Sequence, residues 1–231
     1  MAQKAMVQQM FNHIAPKYDL LNHLLSAGID KGWRRKVRRA LAPDHPEIIL
    51  DVATGTGDLA IELAKLPEVK TIIGIDIAED MLEIGKKKIA KKGLSDRIQL
   101  LPGDSENIDF ETNYFDAVTV AFGVRNYENL GKGLLEMYRV LKPGKKVAIL
   151  EFSKPAAFPM KNLYLFYFHH ILPAVGRAIS KDKSAYTYLP ESVSRFPENK
   201  AFMAELEKAG FKNPSQQRLT FGIATLYLAT K

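Results

Sequence analysis

The chain has 231 residues, 46% hydrophobic and 26% charged, with a formal net charge of +7 at pH 7. This balance belongs to a globular chain with one sizeable core; it excludes wholesale disorder, and the length excludes two independent domains of ordinary size. Cysteine is absent, which excludes disulfides, thiolate nucleophiles and Cys-ligated zinc.

In chain order, residues 1–46 read as a helical N-terminal cap. Their first stretch, "MAQKAMVQQMFNHIAPKYD", lacks the apolar centre and cleavage site of a secretory signal. Further on, "KGWRRKVRRAL" (31–41) sets Trp33, Val37, Ala40 and Leu41 on one helical face and places its basic residues largely around the other. That basic face is open to two readings, a solvated surface or one that meets anionic lipid or a substrate phosphate. Residues 47–152 alternate strands and helices: strand "EIILDVA" (47–53), helix 58–66, strand "TIIGID" (71–76), helix 78–92, strand "RIQLLPG" (97–103), strand "FDAVTVAF" (115–122), helix 128–141, turn "KPGKK" and strand "KKVAILEF" (145–152). The lysines of "GKKKIAKKG" (85–93) sit where a helix carboxyl end favours them. Residues 153–198 form a helical insertion of lid or substrate type, and 199–231 a helix over about 200–209 followed by two strands, "SQQRLT" and "IATLYLAT", separated by "FG". The most apolar run, "NLYLFYFHHILPAVG" (162–176), is broken by two histidines and Pro173 and is shorter than the roughly 20 residues a bilayer requires. The expectation is one α/β domain, a mainly parallel sheet covered on both faces with a C-terminal antiparallel strand pair.

The first chemical signal is "LDVATGTGDLA" (50–60). Gly55 and Gly57 permit a tight turn and close approach to a ligand, Ala60 permits close helix packing, and Asp76 follows at the end of the second strand, where it reaches ribose hydroxyls. The loop suits a dinucleotide as well as S-adenosylmethionine. Three features favour the latter. Asp51 would attract a cationic ligand end and repel a pyrophosphate; Asp104 and Ser105 follow the third strand, in reach of an adenine; and the closing hairpin is antiparallel where a dinucleotide fold continues parallel. A nicotinamide-dependent dehydrogenase stays as the alternative. No metal is expected, because His13, His23 and His45 are isolated and the adjacent His169 and His170 point about 100° apart on a helix. Neither basic cluster interleaves the aromatics of a nucleic-acid platform, so no nucleic-acid partner is expected.

Together, "YDLLNHLLSAGIDKGWRR" (18–35), "LDVATGTGDLA", "GDSENIDFETNYFDAVTVAFGVRN" (103–126), "RVLKPGKKVAILEFSKP" (139–155) and "YTYLPESVSRFPENKAF" (186–202) resemble the quinone-biosynthesis C-methyltransferases of the menaquinone and ubiquinone pathways. The resemblance implies a class I, Rossmann-like methyltransferase fold, S-adenosylmethionine as methyl donor, and a polyprenylated hydroxyquinol methylated on a ring carbon. Demethylmenaquinol is the foremost substrate and the ubiquinone-pathway benzoquinol the alternative. It also implies cofactor contacts at Thr56 within the Gly55–Gly57 loop, at Asp76, and at the Asp104–Ser105 pair. Ala121 departs from the serine of many ubiquinone-branch relatives, so any cofactor contact by that hydroxyl is absent here.

A quinol carbon attacks a methyl sulfonium once the adjacent hydroxyl loses its proton, so the site needs a group that stabilises a phenolate oxygen. Arg125 suits that role, with Asn126 as a second donor; the competing reading of Arg125 is an ion pair with Glu128. The proton acceptor is expected to be a water held by the pair, with His23, His169 and Tyr188 as alternatives. A membrane-borne prenyl tail further suggests that "LYLFYFHHIL" and the Trp33 helix form an apolar channel and an interfacial contact, unless the aromatic stretch is only a core helix. The expected setting is the cytoplasm with transient contact at the inner membrane face, and a homodimer is compatible with the sequence.

Overall fold

The computed structural model describes residues 2–26, 28–167 and 184–231. Five apolar segments become parallel strands: β1 (Ile48–Val52), β2 (Thr71–Asp76), β3 (Ile98–Pro102), β4 (Phe115–Ala121) and β5 (Leu141–Phe152). β6 (Lys212–Leu219) and β7 (Ala224–Thr230) follow, and the sheet order is β3-β2-β1-β4-β5-β7-β6, with β7 antiparallel to both β5 and β6. The order reverses between β1 and β4, which opens a crevice at the carboxyl ends of the strands.

Near-continuous apolar strands follow from burial on both faces. Ile49 packs with Trp33, Leu63 and Leu82 on one face, while its neighbour Leu50 packs with Leu134, Met137 and Phe202 on the other. The first face is covered by α2 (Asp30–Leu41), α3 (Asp58–Leu63) and α4 (Glu79–Lys91), the second by α5 (Leu130–Val140) and a later helix at Lys200–Lys208. Ahead of them lies α1 (Ala2–Leu25); α6 (Met160–Phe166), α7 (Ser184–Arg195) and α8 (Lys200–Lys208) come after β5.

Two boundaries differ from the sequence expectation for local reasons. The helix expected from residue 128 begins at Leu130, because Asn129 caps it by accepting a 3.0 Å bond from Lys132 N. The "KPGKK" turn is drawn into β5 as a bulge: Leu141 pairs with Phe115, Lys146 with Ala117, and Gly144, at φ +75°, donates its N–H to Lys231 O. His169, His170 and the side chain of His23 lie outside the described residues.

Candidate active site

The glycine loop leaves β1 through left-handed backbone at Ala53 (φ +52°), Gly55 (φ +56°) and Gly57 (φ +75°). A Cβ on Gly55 would stand 3.3 Å from the Met81 side chain on α4, which sets how closely the loop meets that helix. Asp76 ties the two together. One carboxylate oxygen accepts from Gly55 N at 2.8 Å and the other from Ala78 N at 2.9 Å. Burial pushes the Asp76 pKa up, against backbone N–H bonds from Ala78, Gly55 and Ile77 that favour the charge. Each oxygen has a second lone pair, so the acid can also accept ribose hydroxyls.

Gly55, Asp76, Asp104, Ser105 and Asn126 all line one solvent-open cleft of about 660 Å³, together with Met81, Ala121, Phe122, Gly123 and Tyr127. The cleft's outer wall is α1, which contributes Lys4, Val7, Phe11 and Tyr18. Lys4 pairs with Asp104 at 2.7 Å, Gln8 donates to Ile77 O at 2.7 Å, and Asn12 accepts from Asp80 N at 3.2 Å. Burial would raise the Asp104 pKa, but the Lys4 bond and the Glu106 N–H outweigh it and hold the carboxyl below its ordinary value.

Three residues singled out in the sequence have partners of their own. Thr56, between Gly55 and Gly57, donates its hydroxyl to Asp19 of α1 at 2.6 Å and accepts from Lys88 at 2.9 Å, so it anchors the α1 cover. Asp51 is buried, its two oxygens accepting from the hydroxyls of Thr54 (2.6 Å) and Thr119 (2.7 Å). Trp33 faces the core rather than the outer side of α2. It is 4% exposed, its rings lie against Phe122 and Phe152, and its Nε1 donates to Thr220 Oγ1 at 2.8 Å.

Arg125 and Asn126 occupy a 3-10 turn at the end of β4, and both side chains donate to Phe122 O. Asn126 lines the cleft, and its Oδ1 is buried with no hydrogen-bond partner among the described residues. Arg125 turns toward β5, where Nη1 meets Glu151 Oε1 at 2.7 Å and the guanidinium lies 5.3 Å from the Phe152 ring centre. Nη1 also bonds Phe122 O. The expected ion pair with Glu128 is replaced by this one, with Arg125 6% and Glu151 0% exposed. Glu151 holds the turn further by accepting from Arg125 N at 3.3 Å and Phe152 N at 2.8 Å, while Arg125 Nε is buried and has no hydrogen-bond partner among the described residues. On the other flank, buried Glu106 accepts from Glu128 N (2.9 Å) and Asn129 N (3.0 Å). Sequence reasoning missed the α1 contacts, Glu106 and Glu151; both acids left a signal, Glu106 lying within "GDSENIDF" and Glu151 within the "LEFS" segment.

The donor set fits S-adenosylmethionine: a carboxylate at the ribose position, a polar pair at the adenine position, and an orphaned amide oxygen in the same cleft. With the 3-2-1-4-5-7-6 strand order, this defines a class I methyltransferase fold. A solved S-adenosylmethionine-dependent methyltransferase of Methanococcus maripaludis, described as putative, shares it at a TM-score of 0.65 and 24% identity, covering 94% of this chain and 91% of that one.

The chain belongs to the ubiE/COQ5 methyltransferase family, whose model matches residues 1–231. It is 49% identical over 225 residues to the demethylmenaquinone methyltransferase of Bacteroides fragilis, covering 97% of this chain and 92% of that one. It is 48% identical over 226 residues to the ubiquinone/menaquinone biosynthesis C-methyltransferase of Geotalea daltonii, covering 97% and 96%.

Proposed function

We propose that the chain methylates a ring carbon of a polyprenylated quinol, demethylmenaquinol foremost, with S-adenosylmethionine as donor. The observation that carries the substrate is the 49% identity, along nearly the whole chain, to an enzyme named for demethylmenaquinone. The Geotalea relative, named for both quinones, favours a second reading in which the ubiquinone-pathway benzoquinol is accepted too.

Bound S-adenosylmethionine supplies a methyl group on a sulfonium that needs no further activation. Asp76 binds the ribose, and Asp104 with Ser105 reads the adenine; their shared place in the cleft supports these roles. Arg125, fixed by Glu151, keeps a buried Nε–H free to stabilise the ring oxygen as it gains charge, and Asn126 Oδ1 orients the departing proton or its water. Overall the ring exchanges a C–H bond for a C–C bond, the donor loses its S–C bond, and one proton passes to solvent.

Contact with a membrane surface is part of the same reading. It is supported by the exposed Phe158 (82%), Leu163 and Phe166 around α6, and by the outward basic face of α2, Lys31, Arg35, Lys36 and Arg39. Among the described residues no helix is long and apolar enough to cross a membrane. The expected place is the cytoplasm at the inner membrane face, and flotation with anionic but not zwitterionic vesicles checks the contact.

Incubation with methyl-labelled S-adenosylmethionine and a short-tailed demethylmenaquinol, beside the corresponding benzoquinol, tests the function. Label is expected in the naphthoquinol product. A chain that binds the donor but labels neither quinol would sink the reading.

A further inference from the structure

We propose that Tyr188 is a further catalytic residue, its neutral phenol donating a hydrogen bond to the quinol ring oxygen that Arg125 also serves. The proposal rests on the quinol reading above. Tyr188 is 8% exposed, and among the described residues its buried hydroxyl has no hydrogen-bond partner. Native structures seldom leave such a group orphaned unless a ligand or water completes it. Packing alone would be served equally by phenylalanine.

Its position gives the hydroxyl a use. α7, which carries Tyr188, packs against both α1 and the 124–126 turn that bears Arg125 and Asn126. The Tyr188 side chain clusters with Val7 and Met10 of α1, and Val7 itself lines the cofactor cleft. The phenol therefore stands where the cover of the cofactor cleft meets the Arg125–Glu151 pair, next to the place where a ring awaiting the methyl group must lie.

The charges around it make it a donor rather than a base. Burial raises the Tyr188 pKa, the positive charges of Arg125 and Arg195 lower it less, and Glu151 raises it, so the phenol keeps its proton. Two donors on one developing oxyanion, Arg125 Nε–H and the Tyr188 hydroxyl, form the arrangement expected for charge stabilisation in a water-poor site.

Tyr188→Phe in the full chain tests this, because it removes the hydroxyl and keeps the ring. The expected result is a kcat for short-tailed demethylmenaquinol lower by about 10- to 100-fold, with the quinol KM, the donor Kd from calorimetry and the melting temperature unchanged. A kcat equal to the parent's overturns the proposal. So does a fall in kcat accompanied by a lower melting temperature and a raised KM, which marks a packing role. A parent that binds S-adenosylmethionine but methylates no quinol overturns the substrate reading and this role with it, whereas an active parent matched by the variant overturns Tyr188 alone.

Discussion

Replacing Asp51 by asparagine is expected to stabilise the protein above neutrality and not below pH 5. Burial is the main cause that pushes this carboxyl from an ordinary 3.8 to about 6; the Thr54 and Thr119 hydroxyls and the Arg34 charge pull it down, and Asp76 adds to the rise. The folded chain thus holds the Asp51 proton more tightly than the unfolded chain does. The stability this group contributes is fully present below pH 3.8 and is lost as pH rises through about 6. Two pKa units correspond to about 3 kcal/mol. Asparagine removes that penalty but accepts only one of the two hydroxyl bonds well. Thr119 Oγ1 already lies 3.4 Å from Leu50 O and can donate there instead, so the exchange costs about 1 kcal/mol. The net expectation is a variant about 1 kcal/mol less stable than the parent near pH 4 and about 2 kcal/mol more stable at pH 8. Urea unfolding of both proteins across this range measures the difference and cancels the titrating groups that do not feel the Asp51 charge. A difference that does not grow with pH would refute the reasoning.

Glu151→Gln leaves the Arg125 guanidinium buried beside a neutral amide and should cost about 3–5 kcal/mol, read as a fall in melting temperature; an unshifted transition would show that the pair is dispensable. Asp76→Ala removes a charged acceptor from the cleft and should raise the donor Kd by roughly 10- to 100-fold in calorimetry, and unchanged affinity would take Asp76 out of the site. Gly74→Ala should destabilise by about 1–3 kcal/mol in urea unfolding, because its Cβ would stand 2.6 Å from Leu100 Cδ2 and 2.9 Å from Thr54 Oγ1; a variant as stable as the parent would mean that both side chains can move aside.

The parallel core was legible because strands buried on both faces must be apolar throughout. "TIIGID" reads as a strand over 71–76 and is one, ending at the acid that reaches the glycine loop. The α1 cover was not legible. Amphipathicity tells which helix face is buried but not against what, and Lys4 meets a partner 100 positions away. The Thr56 bond to α1 was hidden for a more local reason: a loop with three residues at positive φ turns adjacent side chains in different directions, so spacing alone does not tell where the Thr56 hydroxyl points. For Arg125, nearness in sequence suggested Glu128, yet parallel pairing of β4 with β5 sets Ala121 beside Leu150 and so brings the turn after β4 against Glu151, the next residue of β5.

That pairing also sets one short turn between two neighbours. β4 lies between β1 and β5, so the turn at its end has the cofactor cleft on one side and the β5 terminus on the other. A 3-10 turn sends successive side chains about 120° apart, and here Asn126 faces the cleft while Arg125 faces Glu151. Two buried carboxylates hold this turn and the start of α5 through main-chain N–H groups, Glu151 at Arg125 and Phe152, Glu106 at Glu128 and Asn129. Transfer from a sulfonium depends mainly on alignment and exclusion of water. A turn clamped at both ends has little freedom to move, so under the proposed reaction Glu106 and Glu151 would act through position without touching either reactant.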